Sequence, residues 1–379
     1  MFKKITDFIK NLYGNTEVVP LHEPRFTGNE KKYVAECIDS TFVSSVGEFV
    51  NRFESMVADY VGVKYVIATV NGTSALHAAL VLASVKENDE VLTQALTFVA
   101  TANAIAYTGA APVFIDSDKT TLGMCPERLE DFLQNETIEK EDGRYNKKTG
   151  RRIAACVPVH IFGHPVKIDR IKEVCSRYRI TLIEDACESL GSSYKGSHTG
   201  TFGIMGILSF NGNKIITTGG GGMIITDNEE LGRRARHITT TARISHKWAF
   251  EHDEVGYNYR MPNINAALGC AQMELLPKFL ESKRATALLY SKFFSDIGVM
   301  FFIEPPGSRS NYWFNSILLK DRTERDAFLE YSNSCGVMTR PVWTLLSRLK
   351  MYKGCQHTGL DNAEWIEERL VNIPSSVRI

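Results

Sequence analysis

Between about residues 45 and 225, short and largely apolar runs alternate with stretches of helical periodicity, and this constrains the fold more than any other feature of the chain. The runs are "KYVIATV" (64–70), "DEVLTQ" (89–94), "APVFID" (111–116), "IAACVPVH" (153–160) and "ITLIED" (180–185). Strands this apolar are covered on both faces, which occurs where helices flank a parallel sheet. The segments around them have the matching pattern. In "FVNRFESMVADYV", Phe49, Phe53, Met56, Val57 and Tyr60 share one helix face, and "SALHAALVLA", "TANAIAYT" and "DRIKEVCSRY" fall between successive runs. The expected fold is α/β, with a mostly parallel central sheet and flanking helices. In such sheets ligands sit beyond the carboxyl ends of the strands.

After about residue 250 the pattern turns to helices, "NINAALGCAQMELLPKFLESKRATALLYSKFFSDI", and then to short strands such as "YWFNSILL". This predicts a smaller C-terminal α+β domain over 251–379, after a large domain over 20–250. Residues 1–19 read as an amphipathic segment, with Phe2, Ile5, Phe8, Ile9 and Leu12 on one helix face that docks on the body or on a partner. The charged stretch "QNETIEKEDGRYNKKTGRR" (134–152) reads as a solvated surface insertion.

Several function classes are excluded. Lys+Arg and Asp+Glu both number 44, so no bulk charge attracts nucleic acid or an anionic membrane, and any bound anion is held by local geometry. The eight cysteines form no CxxC and the nine histidines no HxH or HExxH, so no metal site is expected. No apolar run reaches membrane-spanning length, and Asp7 interrupts the basic N-terminus, which argues against a signal peptide. A cytoplasmic protein with reduced thiols is the expectation.

Three features fall at strand ends. "VNGTSALHAAL" joins a strand, a turn and a helix start, where Gly72, Thr73 and Ser74 offer backbone amides and hydroxyls suited to a phosphate. Taken alone it reads rather as a capped turn with no ligand, since helix caps use the same residue types. "ITLIEDACESLG" ends a buried strand on Glu184 and Asp185, carboxylates that need a cation or hydrogen-bond donors. "GILSFNGNKIITTGGGGMII" sets Lys214 alone after a strand, ahead of four glycines that let backbone approach a ligand. An amine in a dry pocket is a nucleophile towards aldehydes. GxxxxGK[ST] and GxGxxG are absent, which disfavours a P-loop or a dinucleotide site. An aldehyde for Lys214, a phosphate for the 72–74 turn and a basic ring nitrogen for Asp185 coincide in pyridoxal 5′-phosphate. Phe98, at another strand end, is placed to stack on its ring or to sit in the core.

Together "NGTSAL", "TFVATANAI", "IEDACESLG", "SFNGNK…GGGGM" and "GYNYRMPNINAALGCAQ" make the chain resemble the DegT-type sugar-nucleotide aminotransferases of pyridoxal-phosphate fold type I, nearly throughout from Pro20. The resemblance implies that Lys214 bonds to the cofactor's aldehyde carbon and that Asp185 faces the pyridine nitrogen. It implies that Thr73, Ser74 and Ser209 hold the phosphate, and that Phe98 stacks on the ring. Asn258 would reach the phosphate of a neighbouring subunit, making a homodimer with shared active sites. Glu188 stands where the family commonly has His or Gln near the cofactor's 3′-oxygen. The charged insertion, "YNYRMPN" and "TRPVWTLL" resemble the legionaminic-acid branch. That branch aminates C4 of UDP-2-acetamido-2,6-dideoxy-hexos-4-ulose with L-glutamate as donor, for surface glycan synthesis. Other nucleotide sugars, amination at C3, and a dehydratase on the same fold are the alternatives; in the dehydratases a histidine replaces the lysine. His160, Arg243, Tyr312, Arg340 and Trp343 are candidates for the sugar and diphosphate.

Overall fold

The computed structural model describes residues 1–378. Its centre is a seven-stranded sheet in the spatial order Tyr65–Thr69, Gly222–Thr226, Met205–Ser209, Thr181–Asp185, Ile153–Val157, Glu90–Gln94, Ala111–Ile115. Gly222–Thr226 runs antiparallel to both its neighbours; the other pairings are parallel. Each strand read from the sequence is present within one to three residues, and helices Gly72–Leu82, Ala100–Tyr107 and Ile168–Arg177 connect strands as expected. Their apolar faces close over the sheet: Ala75, Ala78 and Ala79 pack on Ile67, Ile207 and Ile224 on one side, and Ile171 and Val174 on Leu92 and Leu182 on the other.

A second, four-stranded antiparallel sheet, ordered Met300–Phe301, Asn315–Leu318, Leu370–Ile373, Arg340–Pro341, forms the smaller layer. The helix Asn263–Asp296 spans both bodies. Ala266, Ala267, Cys270 and Leu276 join the core of Phe53, Leu208 and Phe210, while Tyr290 and Phe294 join that of Ile317 and Phe328. Packing therefore changes hands midway along this helix and not at residue 251. The N-terminal helix Phe2–Leu12 docks on that second core through fully buried Ile5 and Ile9.

The charged stretch is an ordered hairpin, Thr137–Lys140 with Gly143–Asn146. Asn146 is buried and donates to Glu90 Oε2 at 2.7 Å and Gln356 Oε1 at 2.9 Å. It thus seals the amino ends of the strands, away from their carboxyl ends. All eight cysteines are free thiols, and among the described residues no helix is long and apolar enough to cross a membrane.

Candidate active site

Strand register brings the distant motifs to one edge. Gly222 pairs with Ser209 on one side and Thr69 on the other, and Ile207 lies opposite Asp185 on the next strand. The turn after Thr69, Ser209 and Asp185 therefore share the carboxyl edge of the sheet, although well over a hundred residues separate the first from the last two. They open onto a cavity of about 890 Å³, of the size small-molecule sites have.

Asn71 caps the helix Gly72–Leu82 by accepting the Ser74 amide at 2.7 Å. That leaves the Gly72 and Thr73 amides as the orphan donors at the positive helix end. A Cβ on Gly72 would stand 2.8 Å from Cys187 Sγ and 3.1 Å from Ser209 Cβ, so only glycine lets the helix start draw up to the Ser209 hydroxyl. Gly72, Thr73 and Ser209 line the cavity.

Asp185 is nearly buried, and its carboxylate is held in one pose: Oδ2 accepts from Thr101 Oγ1 at 2.8 Å and Oδ1 from the Cys187 amide at 3.2 Å. Adjacent residues of a strand face opposite ways. Glu184 accordingly points away from the cavity, accepting from His160 Nε2 at 3.0 Å and from the amides of Gly200, Phe202 and Gly203.

Lys214 sits in the loop that returns from Ser209 to Gly222. Its side chain is 12% exposed, with Nζ 3.5 Å from Glu188 Oε1 and 3.7 Å from the centre of the Trp313 ring. Trp313 also donates its Nε1–H to the Asn213 carbonyl at 2.6 Å, pinning the loop to the smaller body. Burial pushes the Glu188 carboxyl above the ordinary glutamate range, against the opposing pull of the Lys214 charge. The last of the four glycines serves the protein itself: a Cβ on Gly222 would lie 2.4 Å from the Asn71 carbonyl carbon. Its role is close approach of strand to helix start, not of backbone to ligand.

Phe98, 51% exposed, stands at the cavity wall with Trp343 and Arg340. His160 and Tyr312 do not reach the cavity. His160 is fully buried, accepting the Val166 amide at Nδ1 while Nε2 meets Glu184. Tyr312 is buried edge-on against His164, and its hydroxyl accepts the Glu304 amide. Arg243 lies on an exposed loop with its guanidinium 4.1 Å over Phe250. Asn258 is exposed and outside the cavity of its own chain, while its neighbour Arg260 is buried on Glu54 and bridges Thr69. Sequence reasoning missed Asn71, Thr101 and Trp313. Only Asn71 carried a local signal, an Asn three residues ahead of Ser74 at a helix start.

Comparison with known proteins agrees with this arrangement. The DegT/DnrJ/EryC1/StrS aminotransferase family matches residues 24–379. GDP-perosamine synthase of Escherichia coli O157:H7 is 38% identical, covering 94% of this chain and 93% of that protein. The enzyme of the same name from Vibrio cholerae is 33% identical, with 94% of each chain covered. The crystal structure of the aminotransferase TlmJ from Streptoalloteichus hindustanus superposes with a TM-score of 0.85 at 28% identity, covering 94% of this chain and 93% of that one. The chain thus belongs to the DegT/DnrJ/EryC1/StrS aminotransferase family and is a pyridoxal-phosphate-dependent sugar-nucleotide transaminase.

Proposed function

We propose that this enzyme transfers the amino group of L-glutamate to C4 of a nucleotide-linked 4-keto-6-deoxy sugar, with UDP-2-acetamido-2,6-dideoxy-hexos-4-ulose as substrate, for glycan synthesis of the legionaminic-acid type. The observation that carries the reading is one cavity holding Lys214, Asp185 and a helix start whose Gly72 and Thr73 amides are free beside Ser209. The resemblance of "YNYRMPN" and "TRPVWTLL" to the legionaminic-acid branch supports the sugar. The rival is a GDP-linked sugar, favoured by the names of the relatives from E. coli and V. cholerae.

The residues present suit pyridoxal phosphate. The Gly72 and Thr73 amides and the Ser209 hydroxyl offer donors for a phosphate, Asp185 offers a fixed carboxylate for a ring nitrogen, and Phe98 offers an aromatic face. When bound, the cofactor supplies an electron sink for the carbanion at the donor's α-carbon and carries the amino group between substrates. Asp185, fixed by Thr101 and the Cys187 amide, keeps the ring nitrogen protonated. Lys214 Nζ is the group that bonds to the aldehyde carbon. Its amine would also be the group that takes the proton from the donor's Cα, holds it and passes it on as general base and acid. In the second half of the cycle it runs the same transfer in reverse for the sugar at C4. Trp343 and Arg340, on the smaller body's side of the cavity, contact the sugar and its diphosphate.

The active form is a homodimer in which Asn258 completes the partner's phosphate site. Asn258 lies on the exposed side of a loop whose Trp248, Phe250 and Val255 are 76%, 74% and 84% exposed, an apolar surface suited to burial against a second copy.

The test is incubation with glutamate and a panel of UDP-, GDP- and dTDP-linked keto sugars, followed by mass and stereochemical analysis of the product. A 4-amino product from the UDP-acetamido sugar alone supports the reading. Turnover of the GDP sugar with none of the UDP sugar refutes it. The protein should purify yellow and bleach with glutamate, and Lys214→Ala should lose both behaviours while staying folded.

A further inference from the structure

Glu188 touches two parts of the cavity at once. One oxygen, Oε1, lies 3.5 Å from Lys214 Nζ, and the other, Oε2, accepts the backbone amide of Phe162 at 2.8 Å. Phe162 adopts a left-handed backbone, φ 55 and ψ 17, which a bulky residue keeps only where its surroundings hold it. The held conformation sends its fully buried ring among the aromatics that bound the cavity, with centroids 5.0 Å from Trp343 and 5.7 Å from Phe314. The same carboxylate thus faces the amine that takes the cofactor and fixes the turn behind the aromatic wall.

We propose that Glu188 is a positioning residue, orienting the Lys214 amine through one carboxylate oxygen and, through Phe162, setting the aromatic wall that receives the sugar with the other. This goes beyond contact with a bound cofactor, and it rests on the reading of Lys214 as the cofactor lysine. The charged and titratable groups around Glu188 are Lys214, Asp185 and the Cys187 thiol; the thiol's own titration is driven upward by burial and so leaves it neutral. Lys214 is therefore the cation Glu188 answers to.

Two substitutions separate the two oxygens. Glu188→Gln keeps an oxygen for the Phe162 amide and removes the charge beside Lys214. Glu188→Leu removes both. The first readout is the pH dependence of cofactor attachment to apoprotein, followed by absorbance, which needs no sugar. A carboxylate beside an amine favours the charged amine. In Glu188→Gln the pH profile of attachment should therefore move to lower pH. The second readout is KM for the keto sugar. It should stay near the wild-type value in Glu188→Gln and rise about tenfold or more in Glu188→Leu, which leaves the Phe162 amide without its acceptor. If Glu188→Leu does not fold, Phe162→Leu, which keeps the amide bond to Glu188 and removes the ring, tests whether that ring sets the wall, and the sugar KM should rise there too.

Unchanged attachment in Glu188→Gln overturns the Lys214 half, and an unchanged sugar KM in Glu188→Leu, or in Phe162→Leu where it stands in, overturns the wall half. The failure of the reading beneath is distinct from either: there Lys214→Ala apoprotein would bond the cofactor as wild type does.

Discussion

Lys283 lies on the helix Asn263–Asp296 behind the Trp313 wall, fully buried, with Nζ donating to the carbonyls of Trp313 at 3.1 Å and Ser375 at 2.5 Å. No carboxylate among the described residues forms an ion pair with it. Burial lowers its pKa from 10.5 to about 7. At about 1.4 kcal/mol per unit, that fall amounts to about 5 kcal/mol of penalty against the charged form. The sign follows from proton counting. Between pH 7 and 10.5 the unfolded chain holds a proton on this amine that the folded chain lacks, so stability rises with pH, by up to about 1.4 kcal/mol per unit. As pH falls through that window the contribution is lost. Lys283→Met keeps much of the volume and gives up two hydrogen bonds, a cost of about 1–3 kcal/mol. It also removes the penalty, which at pH 7 still stands near 4 kcal/mol on the same scale. The methionine variant should be more stable than wild type by about 1–3 kcal/mol at pH 7, and the advantage should shrink by about 3 kcal/mol by pH 9.5. Urea unfolding of both apoproteins at matched concentration across this range is the assay. Parallel pH profiles for the two proteins would refute a buried, neutral Lys283.

Asp185→Asn should retain the fold but lose at least about a hundredfold in transamination rate, since the ring nitrogen loses its anionic partner; a rate within a few-fold of wild type would make Asp185 merely structural. Gly222→Ala places a Cβ 2.4 Å from the Asn71 carbonyl carbon, whereas at Gly212 the nearest atom is 3.9 Å away. The first should therefore destabilise the apoprotein by about 1–3 kcal/mol and weaken cofactor binding, and Gly212→Ala should do neither; equal melting temperatures would contradict the close approach. Mixed Asn258→Ala and Lys214→Ala subunits should regain cofactor affinity in hybrid dimers, where one site pairs an intact lysine with an intact asparagine. Hybrids shown by differential tagging to form without that rescue would rule out a shared site.

The candidate site was legible in part because its chemistry sits next to strand ends, where local sequence is informative. Lys214, Asp185 and Gly72–Thr73 each follow an apolar run by a few residues, and the cavity brings them together. His160 occupies a comparable strand-end position, yet the structure spends it on Glu184 in the interior. Nothing in "VPVHIFG" marks the difference, because the partner is set by register between two strands. Phe162, beside it, is fixed in a left-handed conformation by an acceptor 26 residues further on. Tyr312 and Arg243 were drawn by residue type alone, and residue type does not report which way a loop turns its side chains.

What the sequence determined by itself was the periodicity, and with it the alternating α/β layers, the parallel sheet and the edge on which a ligand would sit. These depend on burying apolar residues that are neighbours along the chain. Only the tertiary structure decided which polar side chains face the cavity. That choice rests on the pairing of Thr69, Gly222 and Ser209, on the Trp313 indole reaching across to the Asn213 carbonyl, and on Glu188 meeting Lys214. These contacts join residues from separate elements, and their geometry exists only once both bodies have packed around the helix Asn263–Asp296.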